Sequence, residues 1–274
     1  MKKRIAKLEP YKNSKLTLEK RVEDLLSRMT LEEKVAQVSG ESNMETRSNP
    51  RLGIPSLKVA DGPHGMRWEK AACFPTAVTL ASSWDTNLMK RVGVALAEET
   101  RGKGRHVILG PCINIHRTVQ GGRNFESFGE DPYLAGRMAV AYVRGVQSQK
   151  IGTSTKHFAC NNQEKERFVI DAQVSERAMR EIYLPGFKAA VQEADTWTVM
   201  AAYNRLNGPY CCANRNLLTD ILKNEWGYRG VVVSDWGACH GTVDSALGGL
   251  DLEMPGPGKY FSEELLKAVK NGEV

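Results

Sequence analysis

Several polar side chains stand at the ends of short apolar runs, where they could take part in chemistry. Asp61, Lys156, His157, Tyr203 and Asp235 each lie at or just past the end of such a run. A carboxylate can act as a nucleophile or exchange protons, while ammonium, imidazole and phenol groups can hold hydroxyls. Because these residue types recur at one kind of position, the sequence predicts that they meet in a single site.

Asp235 carries the most informative local pattern, since it follows the apolar run 230–233 and directly precedes Trp236. A partly desolvated carboxylate beside an aromatic ring suits sugars, whose C–H faces pack on rings while their hydroxyls need polar partners. Glycoside hydrolysis requires two carboxyl groups, one to protonate the leaving oxygen and one to attack or to activate water. An equally good interpretation of this segment alone is that Asp235 caps the N-terminus of the following helix.

Three other fragments have both a functional and a structural interpretation. Lys156 and His157 could hold neighbouring hydroxyls, but such a pair is most often structural. A glycine-rich loop contains Arg123, whose guanidinium could bind a substrate or form an ordinary surface ion pair. Asp61 precedes a glycine and a proline, so it could merely support a tight turn. None of these fragments identifies the function on its own.

The elements that must position these residues alternate between short apolar runs and longer amphipathic stretches. The short runs predict strands, at 57–60, 77–81, 107–110, 152–155, 196–201, 230–233 and 250–253. The longer stretches predict helices, at 18–29, 31–38, 87–103, 133–149, 176–194 and 217–226. Thr30 and Glu33 have the spacing of a capping box, and Pro185 should kink or divide the helix that contains it. Buried strands that alternate with helices indicate a parallel sheet.

Such a sheet is either doubly wound or closed into a barrel, and two observations favour the barrel. The carboxyl ends of barrel strands meet at one mouth, which would bring the polar residues together. A doubly wound sheet usually has a phosphate-binding glycine loop after a strand, whereas Gly102 and Gly104 precede one. The predicted fold class is α/β, a (β/α)8-type TIM barrel that is incomplete at its C-terminal end. We expect an N-terminal arm and helix at 1–30 and the barrel at 31–274.

Composition excludes several classes of protein. The 274 residues are 41% hydrophobic and 26% charged, which is typical of a folded domain with a large core. The net charge of +6 includes a basic cluster within residues 2–7 that lacks interleaved aromatics, so we expect no nucleic-acid partner. No apolar stretch approaches the roughly 20 residues of a membrane span, and no secretory signal is recognisable at the start. We therefore expect a cytoplasmic protein without a membrane partner, the alternative being an exported protein shown without its signal.

The six cysteines do not predict a metal site or disulfide framework. Cys211, Cys212, Cys239 and His240 could suggest zinc, but two adjacent cysteines depart from the usual C-x(2–4)-C spacing. Buried thiols that act as small apolar side chains are the favoured interpretation. We expect no metal and no cofactor.

Taken together, the motifs resemble one known family. Residues 21–257 are similar to the first catalytic domain of family-three glycoside hydrolases, in the β-glucosidase branch. The similarity is carried by seven motifs that occur in the order of that family, at 60–65, 121–126, 130–134, 156–158, 199–204, 233–237 and 249–256. Several motifs in one order are specific, although each alone is weak.

The resemblance implies a role for each candidate residue. Asp235 would be the nucleophile of a retaining, exo-acting β-glucosidase and would form a covalent glycosyl-enzyme. Asp61 would accept hydrogen bonds from the 4- and 6-hydroxyls of the terminal glucose. The remaining positions would complete the substrate pocket: Arg123, Lys156 and His157 would bind ring hydroxyls, Tyr203 would orient Asp235, Trp236 would wall the subsite, and Arg167 would add a further basic position.

The resemblance also implies a partner domain. In the β-glucosidase branch the acid/base Glu comes from a second α/β domain after the barrel, and we expect that domain to lie outside residues 1–274. Glu164, Glu166 and Glu253 are other carboxylates, but the family pattern makes none of them the acid. The expected partners are a β-glucoside or oligosaccharide and that second domain, with a homodimer left open. A catalytically silent sugar-binding barrel, a β-xylosidase-like enzyme and an exo-glucanase remain alternatives.

Overall fold

Five parallel strands form the main sheet in the computed structural model, which describes residues 9–67 and 70–274. The strands of the described residues are, in chain order, β1 Val59–Asp61, β2 Val107–Leu109, β3 Gly152–Phe158, β4 Asp171–Ala172, β5 Thr198–Ala201, β6 Arg205–Leu206 and β7 Val231–Ser234. The main sheet has the order β1-β2-β3-β5-β7, and β4 pairs with β6 in a separate two-stranded parallel sheet. The predicted α/β class with a parallel sheet is confirmed.

Helices connect most of these strands. The α-helices of the described residues are α1 Leu18–Arg28, α2 Leu31–Gln37, α3 Ala77–Ala81, α4 Thr86–Gly102, α5 Pro132–Ser148, α6 Glu176–Ala178, α7 Pro185–Gln192, α8 Val243–Gly248 and α9 Glu263–Asn271. Residues Met179–Tyr183 and Asn216–Glu225 form π-helical segments, in place of parts of the α-helices predicted there. None of the described helices is long and apolar enough to cross a membrane.

Two local predictions about helices are confirmed. The Thr30 hydroxyl accepts a hydrogen bond from the Glu33 backbone at 3.2 Å, and the Glu33 carboxylate accepts one from the Thr30 backbone at 2.9 Å, so the capping box opens α2. The helix predicted at 176–194 is divided before Pro185, which begins α7 because a proline at the first helical position removes no helical hydrogen bond.

Other predictions are wrong or were only partly realised. Residues 77–81 were expected to form a strand but form α3, which buries Ala77, Leu80 and Ala81 at helical spacing and leaves Val78 exposed. The helix predicted at 18–29 forms as α1, but none of its residues is buried. An apolar face in the sequence therefore produced a helix here without producing a core contact.

The (β/α)8-type barrel is not confirmed by the strand pairing. Between β7 and β1 the described residues form only isolated bridges, which pair Val233 with Leu252, Ser39 with Glu253, Gly40 with Thr46 and Glu45 with Lys58. The strand predicted at 250–253 is thereby reduced to two bridging residues. Beside this region a second apolar cluster, centred on Val59, Leu109, Met200, Val233 and Met254, packs separately from the main core.

A bulge at the end of β3 sets the positions of two candidate residues. Thr155 pairs with Val199 and Phe158 pairs with Ala201, so β3 contains one residue more than β5 across this interval. Such a bulge redirects the side chains within it. Phe158 is fully buried and packs against the ring of Phe187, with ring centroids 5.0 Å apart, which anchors the end of the strand.

Candidate active site

The carboxylate of Asp61, the last residue of β1, binds two cationic side chains. Its Oδ1 lies 3.0 Å from Nζ of Lys156, and its Oδ2 lies 2.7 Å from a guanidinium nitrogen of Arg67. Burial acts to raise the pKa of Asp61, but Lys156 and Arg67 outweigh that effect and hold the pKa below its usual range. Asp61 is therefore ionised at neutral pH, and its two oxygens are held by residues outside its own strand.

Asp235 directly follows β7 and is buried at the carboxyl end of its strand, the same end at which Asp61 lies in β1. Its Oδ1 accepts a hydrogen bond from the Trp236 backbone at 2.8 Å. Its Oδ2 has no hydrogen-bond donor among the described residues and lies 3.4 Å from Nε2 of His157. Burial raises the pKa of Asp235, while Lys156, the Trp236 backbone and the Tyr203 hydroxyl oppose the increase. One carboxylate oxygen is thus held in place and the other is available.

The helix-capping interpretation of Asp235 is wrong. The next helix, α8, begins at Val243, and the residue at its N-cap is Thr242. The Asp235 backbone carbonyl instead accepts a hydrogen bond from the Ala238 backbone at 2.9 Å and closes a turn. The Asp235 side chain therefore accepts no hydrogen bond from the backbone N–H groups at the start of α8.

His157 lies next to Lys156 in the bulge of β3, and its side chain is only 3% exposed. Burial lowers the pKa of His157 well below its usual value, and the charges of Arg123, Lys156 and Arg167 act in the same direction. The imidazole is therefore neutral at pH 7. Its ring nitrogen Nδ1 lies 3.0 Å from Oδ1 of Asn114, a residue that follows β2.

Two arginines from distant loops share one carboxylate. Glu164 lies 2.5 Å from a guanidinium nitrogen of Arg167 and 3.7 Å from one of Arg123. Arg123 also forms an ion pair with the buried Glu126. A side chain at Gly122 would place its Cβ 2.8 Å from Cγ of Glu164, so the loop approaches this carboxylate as closely as glycine allows. Glu164 therefore ties Arg123 and Arg167 together.

Tyr203 connects this arginine group with Asp235. The guanidinium carbon of Arg167 lies 4.4 Å from the centre of the Tyr203 ring, and the ring of Phe168 packs against Tyr203 at 4.7 Å between centroids. Burial raises the pKa of Tyr203, and the nearby charge of Asp235 raises it further. Tyr203 therefore retains its proton and can donate it to a hydrogen bond.

Trp236 has a different environment from the other predicted site residues. Its indole Nε1 donates a hydrogen bond to the Asn43 carbonyl at 2.7 Å, and its ring packs against the second apolar cluster. It also lines an apolar cavity of about 480 Å³ beside that cluster. The contacts of its ring thus lie with apolar residues, and its backbone is what touches the Asp235 carboxylate.

The arrangement as a whole suits attack by a carboxylate. Asp235 presents one unpaired oxygen, which lies 3.4 Å from Nε2 of His157, and the positive charges of Lys156 and Arg123 act on its carboxylate without a direct ion pair. A buried carboxylate of this kind can form a covalent bond to an electrophilic carbon. The neighbouring donors can hold the hydroxyls of a polyol such as a sugar ring.

Comparison with known proteins identifies the family to which this chain belongs. The family model for the glycosyl hydrolase family 3 N terminal domain matches residues 11–274. The chain belongs to glycosyl hydrolase family 3. The resemblance inferred from the sequence motifs is therefore confirmed.

Members of family 3 with curated names are close to this chain. It is 47% identical over 266 residues to thermostable beta-glucosidase B of Acetivibrio thermocellus. This match covers 92% of the present chain and 35% of that protein. It is 46% identical over 260 residues to an exo-alpha-(1->6)-L-arabinopyranosidase of Bifidobacterium breve, with coverage of 90% and 34%. The chain therefore spans about a third of the length of these curated relatives.

A solved family 3 structure has the same fold. Beta-glucosidase 3B from Thermotoga neapolitana, in complex with glucose, superposes with a TM-score of 0.90 at 43% sequence identity. The match covers 92% of this chain and 40% of the solved chain. The sheet and helices described above are thus those of a family 3 N-terminal domain.

Sequence reasoning about this family 3 domain missed three contributors to the site. Asn114 binds His157, Arg67 binds Asp61, and Glu164 joins two arginines. Asn114 follows β2 by a few residues, which is the same strand-end signal that selected Asp61 and Asp235. Glu164 stands out in the sequence only as a further carboxylate, because sequence spacing gives no reason to pair it with Arg123.

The cysteines differ in their surroundings, because Cys73 is exposed and the buried Cys112 lies beside the polar side chains of Ser127 and Asn114. Among the described residues, Cys211, Cys212, Cys239 and His240 do not bring their ligand atoms together as a possible metal site. Cys211, Cys212 and Cys239 are buried, while His240 stacks on Tyr210 with ring centroids 3.8 Å apart. A different group, Cys112, Glu126 and His157, has potential ligand atoms within 4.8 Å of one another. Each of these three has a protein partner, which is Ser127 for Cys112, Arg123 for Glu126 and Asn114 for His157.

Glu253 and Glu166, two other carboxylates of this family 3 domain, differ in burial. Glu253 is buried and accepts hydrogen bonds from the backbones of Lys259, Tyr260 and Phe261 at 3.1, 2.9 and 2.6 Å. It therefore holds the segment before α9 in place. Glu166 is exposed.

Proposed function

We propose that this chain is the nucleophile-bearing domain of a retaining, exo-acting β-glucosidase that releases terminal non-reducing β-D-glucosyl residues. The observation that carries the proposal is the buried Asp235 carboxylate, whose Oδ1 is held by the Trp236 backbone while Oδ2 has no donor among the described residues. A nucleophile needs a fixed position and one oxygen free to form a new bond. The beta-glucosidase names of close relatives support a glucoside as the substrate.

The proposed reaction has two steps. Oδ2 of Asp235 attacks the anomeric carbon, the glycosidic C–O bond breaks, and the leaving oxygen takes a proton from a general acid. Water then attacks the same carbon and gives a proton to the deprotonated general acid, the bond between that carbon and Oδ2 breaks, and glucose is released with retained configuration while Asp235 returns to the carboxylate form. In retaining glycosidases the second carboxyl group lies roughly 5–5.5 Å from the nucleophile. We propose that this acid comes from a further domain, as the length of the relatives supports.

The substrate-binding roles follow from donor and acceptor chemistry. Lys156 and Arg123 can only donate, so they would bind the oxygen lone pairs of hydroxyls. Asp61 can only accept, and it would bind hydroxyl hydrogens while Lys156 and Arg67 keep its orientation. Arg167 supports Tyr203, whose hydroxyl would orient Asp235. The role of Trp236 as a subsite wall also remains part of this proposal.

Exposed apolar side chains around the site support a covering domain. Val119, Phe125, Phe168 and Val169 are 93%, 47%, 46% and 63% exposed, and they belong to the loops that carry Arg123 and Arg167. Apolar side chains grouped at a surface commonly mark an interface. We propose that the acid-bearing domain covers them in the complete protein, in place of solvent.

We further propose that the main sheet belongs to a (β/α) barrel whose remaining strands are very short. The isolated bridges lead stepwise from β7 back to β1 through residues near 252, 39 and 46. Such a closed path supports a barrel, because an open sheet would leave its two edge strands unpaired. The carboxyl ends of the strands would then form one mouth around Asp235.

A second candidate function is hydrolysis of α-L-arabinopyranosides. A relative that is as similar to this chain as the glucosidases carries that name. An arabinopyranoside lacks the hydroxymethyl group of glucose, so the groups around Asp61 would decide between the two sugars. Comparison of nitrophenyl β-glucoside, α-L-arabinopyranoside and β-xyloside as substrates of the complete protein distinguishes these functions. A sugar that binds without any turnover would instead support a silent binding domain.

The nucleophile is tested with a substrate that needs no acid. The 274-residue chain should release dinitrophenolate from 2,4-dinitrophenyl β-glucoside in a burst, because that leaving group departs without a proton. Cellobiose should react far more slowly, since general acid catalysis contributes roughly 10²–10⁴-fold. The 2-deoxy-2-fluoro analogue should label the peptide that contains Asp235, and Asp235→Asn should abolish both burst and label. A label on any other carboxylate, or rapid hydrolysis of cellobiose, would overturn the assignment.

A further inference from the structure

Asn114 makes all of its polar side-chain contacts with His157, apart from a long approach of the Cys112 thiol at 3.7 Å. Its Oδ1 lies 2.9 Å from the backbone nitrogen of His157 and 3.0 Å from the ring nitrogen Nδ1. Its Nδ2 lies 2.8 Å from the backbone carbonyl oxygen of His157. The side chain of Asn114 is buried.

These contacts fix which way the Asn114 amide points. A backbone N–H can only donate, so the amide atom that faces it must be the oxygen. A backbone carbonyl can only accept, so the atom that faces it must be the nitrogen. The amide oxygen is an acceptor, and it also faces Nδ1 of His157, which must therefore carry a hydrogen.

A neutral imidazole with a hydrogen on Nδ1 has a lone pair on Nε2. Burial of the ring favours its neutral form, and the charges of Arg123, Lys156 and Arg167 act in the same direction. The nearby Cys112 thiol, 3.6 Å from Nδ1, is uncharged because burial raises its pKa to about 12. Nε2 lies 3.4 Å from the unpaired Oδ2 of Asp235. Two acceptors thus face the same space, and a hydroxyl that donates a hydrogen bond is the group that fits there.

We propose that Asn114 is a positioning residue that holds His157 in the Nδ1–H form, so that Nε2 accepts a hydrogen bond from a substrate hydroxyl beside Asp235. The assignment of that hydroxyl to a sugar rests on the proposed function, whereas the form of the ring does not. In this arrangement Nε2 of His157 accepts a hydrogen bond from a substrate hydroxyl, while Lys156 and Arg123 donate hydrogen bonds to hydroxyl oxygens. A substituent that accepts but cannot donate would satisfy the cations and fail against His157.

The form of the ring is measured directly by NMR. The 274-residue chain contains five histidines, and selective ¹⁵N labelling with a His157→Gln reference spectrum identifies the signals of His157. We expect a protonated, pyrrole-type Nδ1 and an unprotonated, pyridine-type Nε2 at neutral pH. The reverse pattern, or protonation of both nitrogens, would overturn the proposal. This readout is independent of whether the chain hydrolyses any glycoside.

Variants test whether Asn114 causes this form. Asn114→Ala should shift His157 toward the Nε2–H form and lower kcat/KM for dinitrophenyl β-glucoside by about 10–100-fold. Asn114→Asp keeps an acceptor opposite Nδ1 and should retain the Nδ1–H form. Asn49→Ala removes another buried amide, whose oxygen binds the Leu52 backbone, and should leave the spectrum of His157 unchanged. If His157 kept the Nδ1–H form in Asn114→Ala, the proposed role of Asn114 would be wrong. If that variant does not fold, loss of the Nδ1–H form in Asn114→Asp would overturn the role instead.

Sugar analogues test the polarity of Nε2. Deoxy and deoxyfluoro analogues of glucose, compared position by position through their binding constants, separate donation from acceptance because fluorine cannot donate. At the position that faces His157, the fluoro analogue should bind as weakly as the deoxy analogue. If fluorine restored binding at every position, His157 would be a donor and the inference would be wrong. Absence of any glucose binding would contradict the proposed function and leave the NMR result standing.

Discussion

Nζ of Lys156 lies 3.0 Å from Oδ1 of Asp61, although 95 positions of sequence separate the two residues. Their strands, β3 and β1, are not adjacent, because β2 lies between them in the sheet. The ion pair therefore spans the intervening strand β2 near the carboxyl ends of the strands, the end at which Asp235 also lies. Its geometry affects both the stability of the fold and the position of the groups proposed to bind sugar.

Replacement of Asp61 should be strongly destabilising. Asp61→Asn leaves the Lys156 ammonium, on a side chain that is 5% exposed, without its nearest anion. Removal of one partner of a buried ion pair typically costs about 3–5 kcal/mol, and we expect that loss in the free energy of unfolding from urea titration. Glu181→Gln is the matched control, since it removes the exposed partner of Arg177 and should change stability by less than about 1 kcal/mol. Equal effects of the two substitutions would contradict this account.

The same carboxylate should contribute to acid sensitivity. Because the folded state holds the pKa of Asp61 below its unfolded value of about 3.9, its contribution is complete above that pH. As the pH falls below that value, the unfolded state binds a proton before the folded state does, so the contribution of Asp61 to stability decreases. The contribution is lost once the pH has fallen through the lower pKa of the folded state. Asp61→Asn should therefore lose less stability than the unsubstituted protein between about pH 5 and pH 3. A parallel pair of stability curves over this range would show that Asp61 has no depressed pKa.

Asp235 should have the opposite effect on stability. Its pKa is raised by burial, so the folded state binds a proton more tightly than the unfolded state, and its charge lowers stability as the pH rises through the folded pKa. Asp235→Asn should be at least as stable as the unsubstituted protein at pH 7. Its activity on dinitrophenyl β-glucoside should fall by about 10⁴-fold or more, because the covalent step is lost. Marked destabilisation in thermal unfolding would indicate that Asp235 is a structural residue.

Glu164 should act through the two arginines that it joins. Glu164→Gln removes the charge that positions Arg123 and Arg167, and hydrogen bonds to charged groups are worth about 1.5–3 kcal/mol. We expect a corresponding rise in KM with a smaller change in kcat. Glu166→Gln, which changes an exposed carboxylate two positions away, serves as the control and should leave both constants unchanged. A collapse of kcat with KM unchanged would point instead to Glu164 as a proton donor.

Glu253 should prove structural. Its carboxylate accepts three backbone hydrogen bonds before α9, and Glu253→Gln would place an amide donor against one or more of these N–H groups. We expect the free energy of unfolding to fall by about 1.5–3 kcal/mol, with the dinitrophenyl burst retained. Glu264→Gln, at an exposed ion pair in α9, should change little. Loss of the burst in a folded Glu253→Gln protein would show that Glu253 has a role in the chemistry.

The elements with local causes were predicted from the sequence. The capping box of Thr30 and Glu33, the break at Pro185 and the alternation of strands with helices depend on neighbouring residues, so each could be identified without the fold. Residues 77–81 could not, because a run of five apolar residues fits a buried strand or a short buried helix equally well. Only packing decides between those two states.

Some features of the candidate site could also be predicted from the sequence, whereas others depend on the fold. The sequence alone determined that carboxylates and cationic side chains stand at strand ends, and the order of the motifs determined the family. The tertiary structure decided that Asp61 pairs with Lys156, that Asn114 binds His157 and that Glu164 joins Arg123 to Arg167. These contacts join residues from different strands and loops, and their partners depend on distances across the sheet that no local pattern records. Burial, which raises the pKa of Asp235 and lowers that of His157, is likewise a property of the packed molecule and not of the chain.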